Sequence, residues 1–149
     1  MHSEDEFRPV PRYSPEAAPF WAGLREDRFR HQRCRQCEEV VWHPRWLCPS
    51  CLSKDLGWED GSGTGSIYSS SVLHRAPYAY WESFVPYALG IVRMTEGHYV
   101  FGQIALTPEW AERSSKGSIS LALIGLEVTA RIIRGDDPSF AFHLTPADR

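Results

Sequence analysis

The chain of 149 residues contains four cysteines, and all four fall in one short stretch as Cys34-Arg35-Gln36-Cys37 and Cys48-Pro49-Ser50-Cys51. Each Cys-x2-Cys pair can turn two thiolates toward one ion, and the two pairs together complete a tetrahedron. Every cysteine is used, so the pattern is specific. The ten residues between the pairs are a shorter spacer than many four-cysteine zinc sites have. They still leave room for two short strands of a ribbon. A site of four thiolates is closed: it holds structure and leaves no position for a zinc-bound water. Rubredoxin-like iron would use the same ligands, and paired thiols could cycle through a disulfide. Zinc is favoured because the chain carries no other electron-transfer feature. His43 lies between the pairs and reads as a surface or packing histidine, not a fifth ligand.

The rest of the composition narrows the setting. The start, Met1-His2-Ser3-Glu4-Asp5-Glu6, is polar and acidic, unlike a secretory signal, so the expected compartment is the cytoplasm. Reducing conditions there make clustered cysteines metal ligands and not disulfide partners. No apolar run approaches the roughly 20 residues of a membrane-spanning helix. The net charge of −3 gives no general pull toward nucleic acid or an anionic membrane.

Three segments follow along the chain. Residues 1–33 form an N-terminal helical segment. Ser14-Pro15-Glu16 reads as a cap, a first-turn proline and a first-turn acid. Pro19 is costly inside a helix, so a turn at 14–18 followed by a helix at about 19–28 is expected. Phe20, Trp21 and Leu24 would share one face, with Phe29 just beyond. Residues 34–58 form the zinc ribbon. Residues 59–149 form an OB-type domain, entered through the flexible joint Gly61-Ser62-Gly63-Thr64-Gly65. Strands are expected at 66–74, 85–94, 98–106, 124–134 and 139–144. In the third, His98, Val100, Gly102, Ile104 and Leu106 alternate with Tyr99, Phe101, Gln103 and Ala105. Glu96-Gly97 reads as a hairpin turn, and Thr107-Pro108-Glu109 caps a short helix before the fourth strand. The fold class is therefore mainly β: an N-terminal helix, a rubredoxin-like four-cysteine zinc ribbon and a five-stranded OB-type barrel.

No catalytic set assembles from the sequence. The cysteines are committed to metal, and the six histidines are scattered without metalloprotease spacing. Ser69-Ser70-Ser71 lacks the glycine frame of a nucleophile elbow. Asp136-Asp137 before Pro138 reads as a turn.

The stretch from Phe29 to Cys37, then Pro44-Arg45-Trp46-Leu47-Cys48-Pro49-Ser50-Cys51, resembles the zinc-ribbon half of an acyl-CoA-associated OB-fold family, catalogued as domain of unknown function 35. Phe20-Trp21-Ala22-Gly23-Leu24 is similar to that family's N-terminal helix. Pro86 to Val92, Glu96-Gly97 and Gly125-Leu126-Glu127-Val128 resemble its barrel strands and hairpin. The resemblance spans roughly residues 13–145, nearly the whole chain. Glu38-Glu39 departs from it, where the family often has glycine after the second cysteine, and the ending after Phe140 is atypical.

What the resemblance implies is a non-catalytic accessory subunit. Its zinc is structural, and its partner is a thiolase-superfamily enzyme of thiolase or retro-aldolase type, with two copies of each chain. It would help to bind acyl-CoA, with the catalytic residues on the partner. Arg45, Arg75 and Arg93 are the candidates for CoA phosphates, since arginine grips phosphate bidentately. Trp21, Tyr78, Tyr80 and Trp81 are the candidates for the pantetheine, acyl or partner surface. For any one arginine a solvated surface charge is the simpler reading. Two alternatives stand beside this one. The partner could be a hot-dog-fold enoyl-CoA hydratase. Or the chain could be a ribbon/OB module for single-stranded nucleic acid, against which its acidic balance counts.

Overall fold

The computed structural model describes residues 13–145; the acidic start, Met1 to Glu6, lies outside them. After a single 3-10 turn at Pro15–Ala17, helix α1 runs over Ala18–Arg25. Pro19 sits in its first turn, where the missing N–H breaks no helical hydrogen bond. The helix stops short of the expected residue 28. Asp27 takes a left-handed φ of 58°, and the Arg28 N–H returns to the Gly23 carbonyl. This early turn brings Phe29 back edge-on to Phe20, with ring centroids 5.8 Å apart. Burying Phe29 at 7% exposure outweighs another turn of helix.

Strands β1 (Arg30–Cys34), β2 (Val40–Val41) and β3 (Leu56–Asp60) form the ribbon sheet in the order β2-β1-β3. Five longer strands follow: β4 (Thr64–Leu73), β5 (Tyr87–Met94), β6 (Tyr99–Ala105), β7 (Glu127–Ile133) and β8 (Ser139–Leu144). They close into a barrel in the order β4-β5-β6-β8-β7. All pairs are antiparallel except β6 and β8. Helix α3 (Pro108–Lys116) comes between the third and fourth barrel strands, the expected OB plan. The Thr107 hydroxyl caps it by accepting the Trp110 N–H.

The alternation of β6 is real. Val100 and Ile104 point inward and are fully buried, while Tyr99 and Phe101 point outward at 47% and 59% exposure. Two one-turn helices escape the sequence reading: α2 (Ala79–Glu82) and α4 (Ser120–Leu123). Four residues are too few to show a helical period. Even so, α4 plugs the barrel, with Ile119 and Leu123 almost wholly buried and the Ser70 hydroxyl donating to the Ser120 carbonyl at 2.7 Å.

One core runs through helix, ribbon and barrel. Phe20 meets Trp42 of the ribbon at 5.1 Å, Phe29 stacks on Trp42 at 5.8 Å, and Phe29 meets Phe140 of β8 at 5.1 Å. Phe140 continues the chain of rings to Phe142 at 5.6 Å. Edge-on and offset ring pairs of this kind add to simple burial. Trp21, one of the candidate contact residues, belongs to this packing and leans edge-on against Tyr13 at 4.7 Å.

Barrel closure depends on Gly65. It pairs with Met94 of β5 on one side and Val128 of β7 on the other. A Cβ there would stand 2.4 Å from the Arg93 carbonyl oxygen, which is backbone and cannot swing away. Gly65→Val is expected to destabilise the chain by about 2 kcal/mol or more, the scale of an overpacked core. Urea titration followed by tryptophan fluorescence measures it; an unchanged midpoint would count against this closure point.

Candidate functional site

The metal centre is built by two similar turns. In the first, the Glu38 N–H donates to the Cys34 carbonyl and the Cys34 N–H to the Glu39 carbonyl. In the second, Leu52 donates to Cys48 and Cys48 to Ser53, all four bonds being 2.9 Å. These knuckles bring the four Sγ atoms within 4.8 Å of one another. Cys34 and Cys51 lie 3.5 Å apart, as do Cys37 and Cys48. A disulfide needs about 2.05 Å. A tetrahedral zinc with Zn–S bonds of about 2.3 Å spaces its sulfurs by about 3.8 Å. The donor set therefore fits one four-coordinate thiophilic ion. The N–H groups of Cys37 and Gln36 point at Cys34 Sγ; with the Cys37 N–H as the largest influence, its thiol is held down at about 6, while at Cys37 the Glu39 N–H is outweighed by burial and the neighbouring thiols, which push it up to about 12. Backbone N–H donors stabilise a thiolate in the way a metal site requires. His43 stays out of the cluster and stacks on Trp42 at 5.4 Å.

Behind the knuckles, the ribbon meets the barrel across two buried imidazoles. His31 of β1 and His98, just before β6, have ring centroids 5.1 Å apart, and His98 lies 5.9 Å from the Trp42 ring. Neither ring has a hydrogen-bond partner on either nitrogen. His31 Nε2 stands 3.4 Å from the Glu59 carboxylate. Burial, then the neighbouring His31, holds His98 down at about 4. A buried imidazole without a hydrogen-bond partner resists a second proton.

The remaining sequence candidates separate. Tyr80 and Trp81 come together on α2, 5.2 Å apart, with Phe84 and Tyr87 within 5.6 Å of Trp81. Tyr80, Trp81 and Phe84 wall a groove of about 700 Å3 on the outside of the barrel, opposite Gln103, Ile133 and Phe140. Tyr78 stands 58% exposed, and Arg75 is exposed in the same loop. Arg93 lines a separate polar depression beside Ser66 and Glu127. Arg45 lines a third, of about 290 Å3, under the ribbon beside Trp46, Lys54 and Trp58. The buried Gln32 side chain clasps the Arg45 backbone, accepting its N–H at 2.8 Å and donating to its carbonyl at 3.2 Å. The three arginines thus do not form one anion site. Phe84, Gln103 and Ile133 escaped the sequence reading. The outward half of the β6 alternation pointed to Gln103, while Phe84 and Ile133 reach the groove only through the fold.

Comparison with known proteins agrees region by region. Residues 21–57 match a family model described as "ChsH2, rubredoxin-like zinc ribbon domain", and residues 58–132 match "ChsH2, C-terminal OB-fold domain". A DUF35 domain-containing scaffold protein of Methanocaldococcus jannaschii is 38% identical over 73 residues, 48% of this chain and 51% of that protein. Its counterpart of Methanothermobacter thermautotrophicus is 37% identical over 73 residues, 48% of this chain and 54% of that protein. These matches span about half the length of the curated relatives. Among solved structures, a chain of "Ltp2-ChsH2(DUF35) aldolase" superposes with a TM-score of 0.71 at 26% identity, covering 90% of this chain and 98% of that one. A DUF35-family protein of unknown function from Sulfolobus solfataricus shares the fold, with a TM-score of 0.58 at 12% identity, covering 95% of this chain and 90% of that one.

Two outcomes are expected from this geometry. Cys48→Ser should abolish tight binding of one zinc per chain, read by native mass spectrometry, and unfold the ribbon, read by hydrogen exchange over residues 34–58. A metal-free wild-type chain with a protected ribbon would contradict this. The second concerns pH. Above pH 6.5 the His98 ring is neutral in both the folded and the unfolded chain. As the pH falls from 6.5 toward about 4, the unfolded chain takes up a proton that the folded chain refuses. Stability then falls by up to about 1.4 kcal/mol per pH unit. His98→Leu leaves no nitrogen to protonate, so denaturant titrations at pH 7.5 and pH 5 should show a smaller loss for this variant than for wild type.

Proposed function

We propose that this chain, which belongs to the DUF35 family of ChsH2-type proteins with a zinc ribbon and an OB fold, is a non-catalytic subunit of an acyl-CoA-processing complex. Its partner is a thiolase-superfamily enzyme of aldolase type. The observation that carries this reading is the likeness to the DUF35 chain of the Ltp2–ChsH2 aldolase, which extends over 90% of this chain and so includes helix, ribbon and barrel together.

Cys34, Cys37, Cys48 and Cys51 hold a structural zinc that fixes the ribbon and supplies no reacting position. The complex contains two copies of each chain, following the dimeric symmetry expected of the partner. The Tyr80–Trp81 groove contributes apolar wall to the acyl or pantetheine part of the CoA ester, or to the partner beside it. Tyr78 and Arg75 stand on the loop leading into α2, and Arg45 and Arg93 are the further candidates for phosphate. Because Trp21 is occupied in core packing, its part in ligand contact is indirect.

The test is co-expression with a thiolase-superfamily subunit from the same genome, followed by mass-resolved size-exclusion chromatography and an aldol-cleavage assay on acyl-CoA. The pair is expected to co-elute as two copies of each chain, and this chain alone should show no turnover. A chain that runs alone and leaves the enzyme's rate unchanged would defeat the reading. Co-elution with a hot-dog hydratase instead would keep acyl-CoA and replace the partner.

A further inference from the structure

The two knuckles share a backbone and differ in surface. In each, the residue after the second cysteine adopts a left-handed φ: 62° at Glu38 and 61° at Leu52. Glycine takes that conformation without strain, and other residues take it at a cost. Glu38 carries only that cost. Its side chain is polar and exposed, and its carbonyl accepts a hydrogen bond from Arg33 at 2.7 Å. Leu52 carries a second cost, because its side chain is 72% exposed to water. Close to it in sequence, on the other side of Cys48, Trp46 is 73% exposed and Leu47 38%. Of the six tryptophans in the sequence, Trp46 is the one among the strongly exposed residues. A strained backbone that presents an apolar side chain to solvent is doubly unfavourable for the free chain, and such local conflicts mark function.

We propose that this second knuckle is an apolar plug that seats in a pocket of the thiolase-superfamily subunit, with Trp46 and Leu52 as its anchors. The proposal rests on the partner reading above and locates one contact within it. The occupant follows from shape and charge. Three exposed side chains around one turn cannot supply the roughly 800 Å2 per partner of a stable interface, so two copies of the tip do not make a dimer. A tip needs a concave acceptor inside a larger contact, where a few well-packed anchors carry most of the energy. Arg45 and Lys54 line, together with Glu16, the groove that Trp46 shares with Trp58; they outnumber that one carboxylate, and neither has an ion-pair partner among the described residues. They call for acidic groups at the rim of the acceptor. Two cations on a chain of net charge −3 pull only weakly toward an anionic bilayer. The rigid turn also argues for a shaped protein pocket, since preorganised anchors gain affinity there and a fluid bilayer does not reward a fixed backbone.

Leu52→Gly separates this plug from a purely structural residue. Glycine relieves the backbone strain, so the variant should keep one zinc per chain and melt at or above the wild-type temperature. It should nevertheless bind the co-expressed partner at least about tenfold more weakly, measured by biolayer interferometry on the full chain. Trp46→Ser should act in the same direction. Glu38→Gly makes the same backbone change on the polar knuckle and should leave affinity within about twofold of wild type. If Leu52→Gly and Trp46→Ser both bind as tightly as wild type, the plug is refuted while the partner reading stands. If the wild-type chain binds no thiolase-superfamily subunit, both fall. Leu52-dependent flotation of the wild-type chain with phosphatidylglycerol vesicles would replace the protein pocket by a lipid surface and overturn the proposal.

Discussion

The ribbon has almost no apolar core of its own. Its buried cluster consists of Val41, Cys34 and Cys48, backed by the partly buried Cys51 and Leu56. Burying one valine is worth about 1.5–3 kcal/mol, while fixing each residue's backbone costs about 1–2 kcal/mol. A segment of this length cannot fold on that exchange. Binding of a structural zinc by four cysteines, worth roughly 10–16 kcal/mol in small peptides, can reverse the balance. Everything the ribbon presents, including the left-handed turns at Glu38 and Leu52, depends on the sulfurs being held together.

The ribbon is nevertheless not an independent bead on a string. Trp42 leaves β2 and enters the main core, where it meets Phe20 of the helix and Phe29 of the linking turn. Phe29 and Phe20 then reach Phe140 of the barrel. Helix α1 is thus the wedge whose aromatic face satisfies both halves. The buried imidazoles of His31, whose Nε2 stands 3.4 Å from the Glu59 carboxylate, and of His98 lie in the same joint, one from each half. Burial of the His98 ring without a hydrogen-bond partner is tolerable while that ring is neutral, which ties the stability of this joint to pH through His98.

Much of this plan was legible along the chain. The paired cysteines fix the ribbon because their spacing permits little else, and the two-residue period of β6 separates Val100 and Ile104 from Tyr99 and Phe101 without any structure. The end of α1 was less visible. A left-handed Asp27 gives no signal in a propensity reading, and the turn forms because Phe29 finds a buried place among residues far away in sequence. The groove beside α2 shows the same limit. Tyr80 and Trp81 could be chosen by residue type, but Gln103, Ile133 and Phe140 join them only because β6 pairs with β8 and β8 with β7. The arginines show the converse limit: a shared preference for phosphate says nothing about whether Arg45, Arg75 and Arg93 share a surface, and Arg45 and Arg93 line different depressions.

The same groove bears on whether this chain could run chemistry alone. Ser139, His143 and Asp137 all line it, and by residue type they could be taken for a hydrolytic triad. The geometry of a strand forbids that. Ser139 and His143 are four residues apart on β8, about 13 Å along an extended chain at about 3.3 Å per residue, far outside the hydrogen-bond reach that a base needs to its nucleophile. Asp137 meanwhile accepts the Tyr13 hydroxyl at 3.0 Å. The other described histidines are no better placed: His31 and His98 are buried against each other, His43 lies on Trp42, and His74 is exposed just after β4, outside the groove. What remains is a closed barrel with aromatic side chains outside as well as inside, Tyr68, Tyr99 and Phe101 among them, beside a cysteine knuckle with an exposed leucine. A chain that acted alone would gain nothing from these exposed apolar groups and would bear their cost in solubility. In the accessory role proposed above, these exposed groups would lie against the partner that supplies the reacting groups.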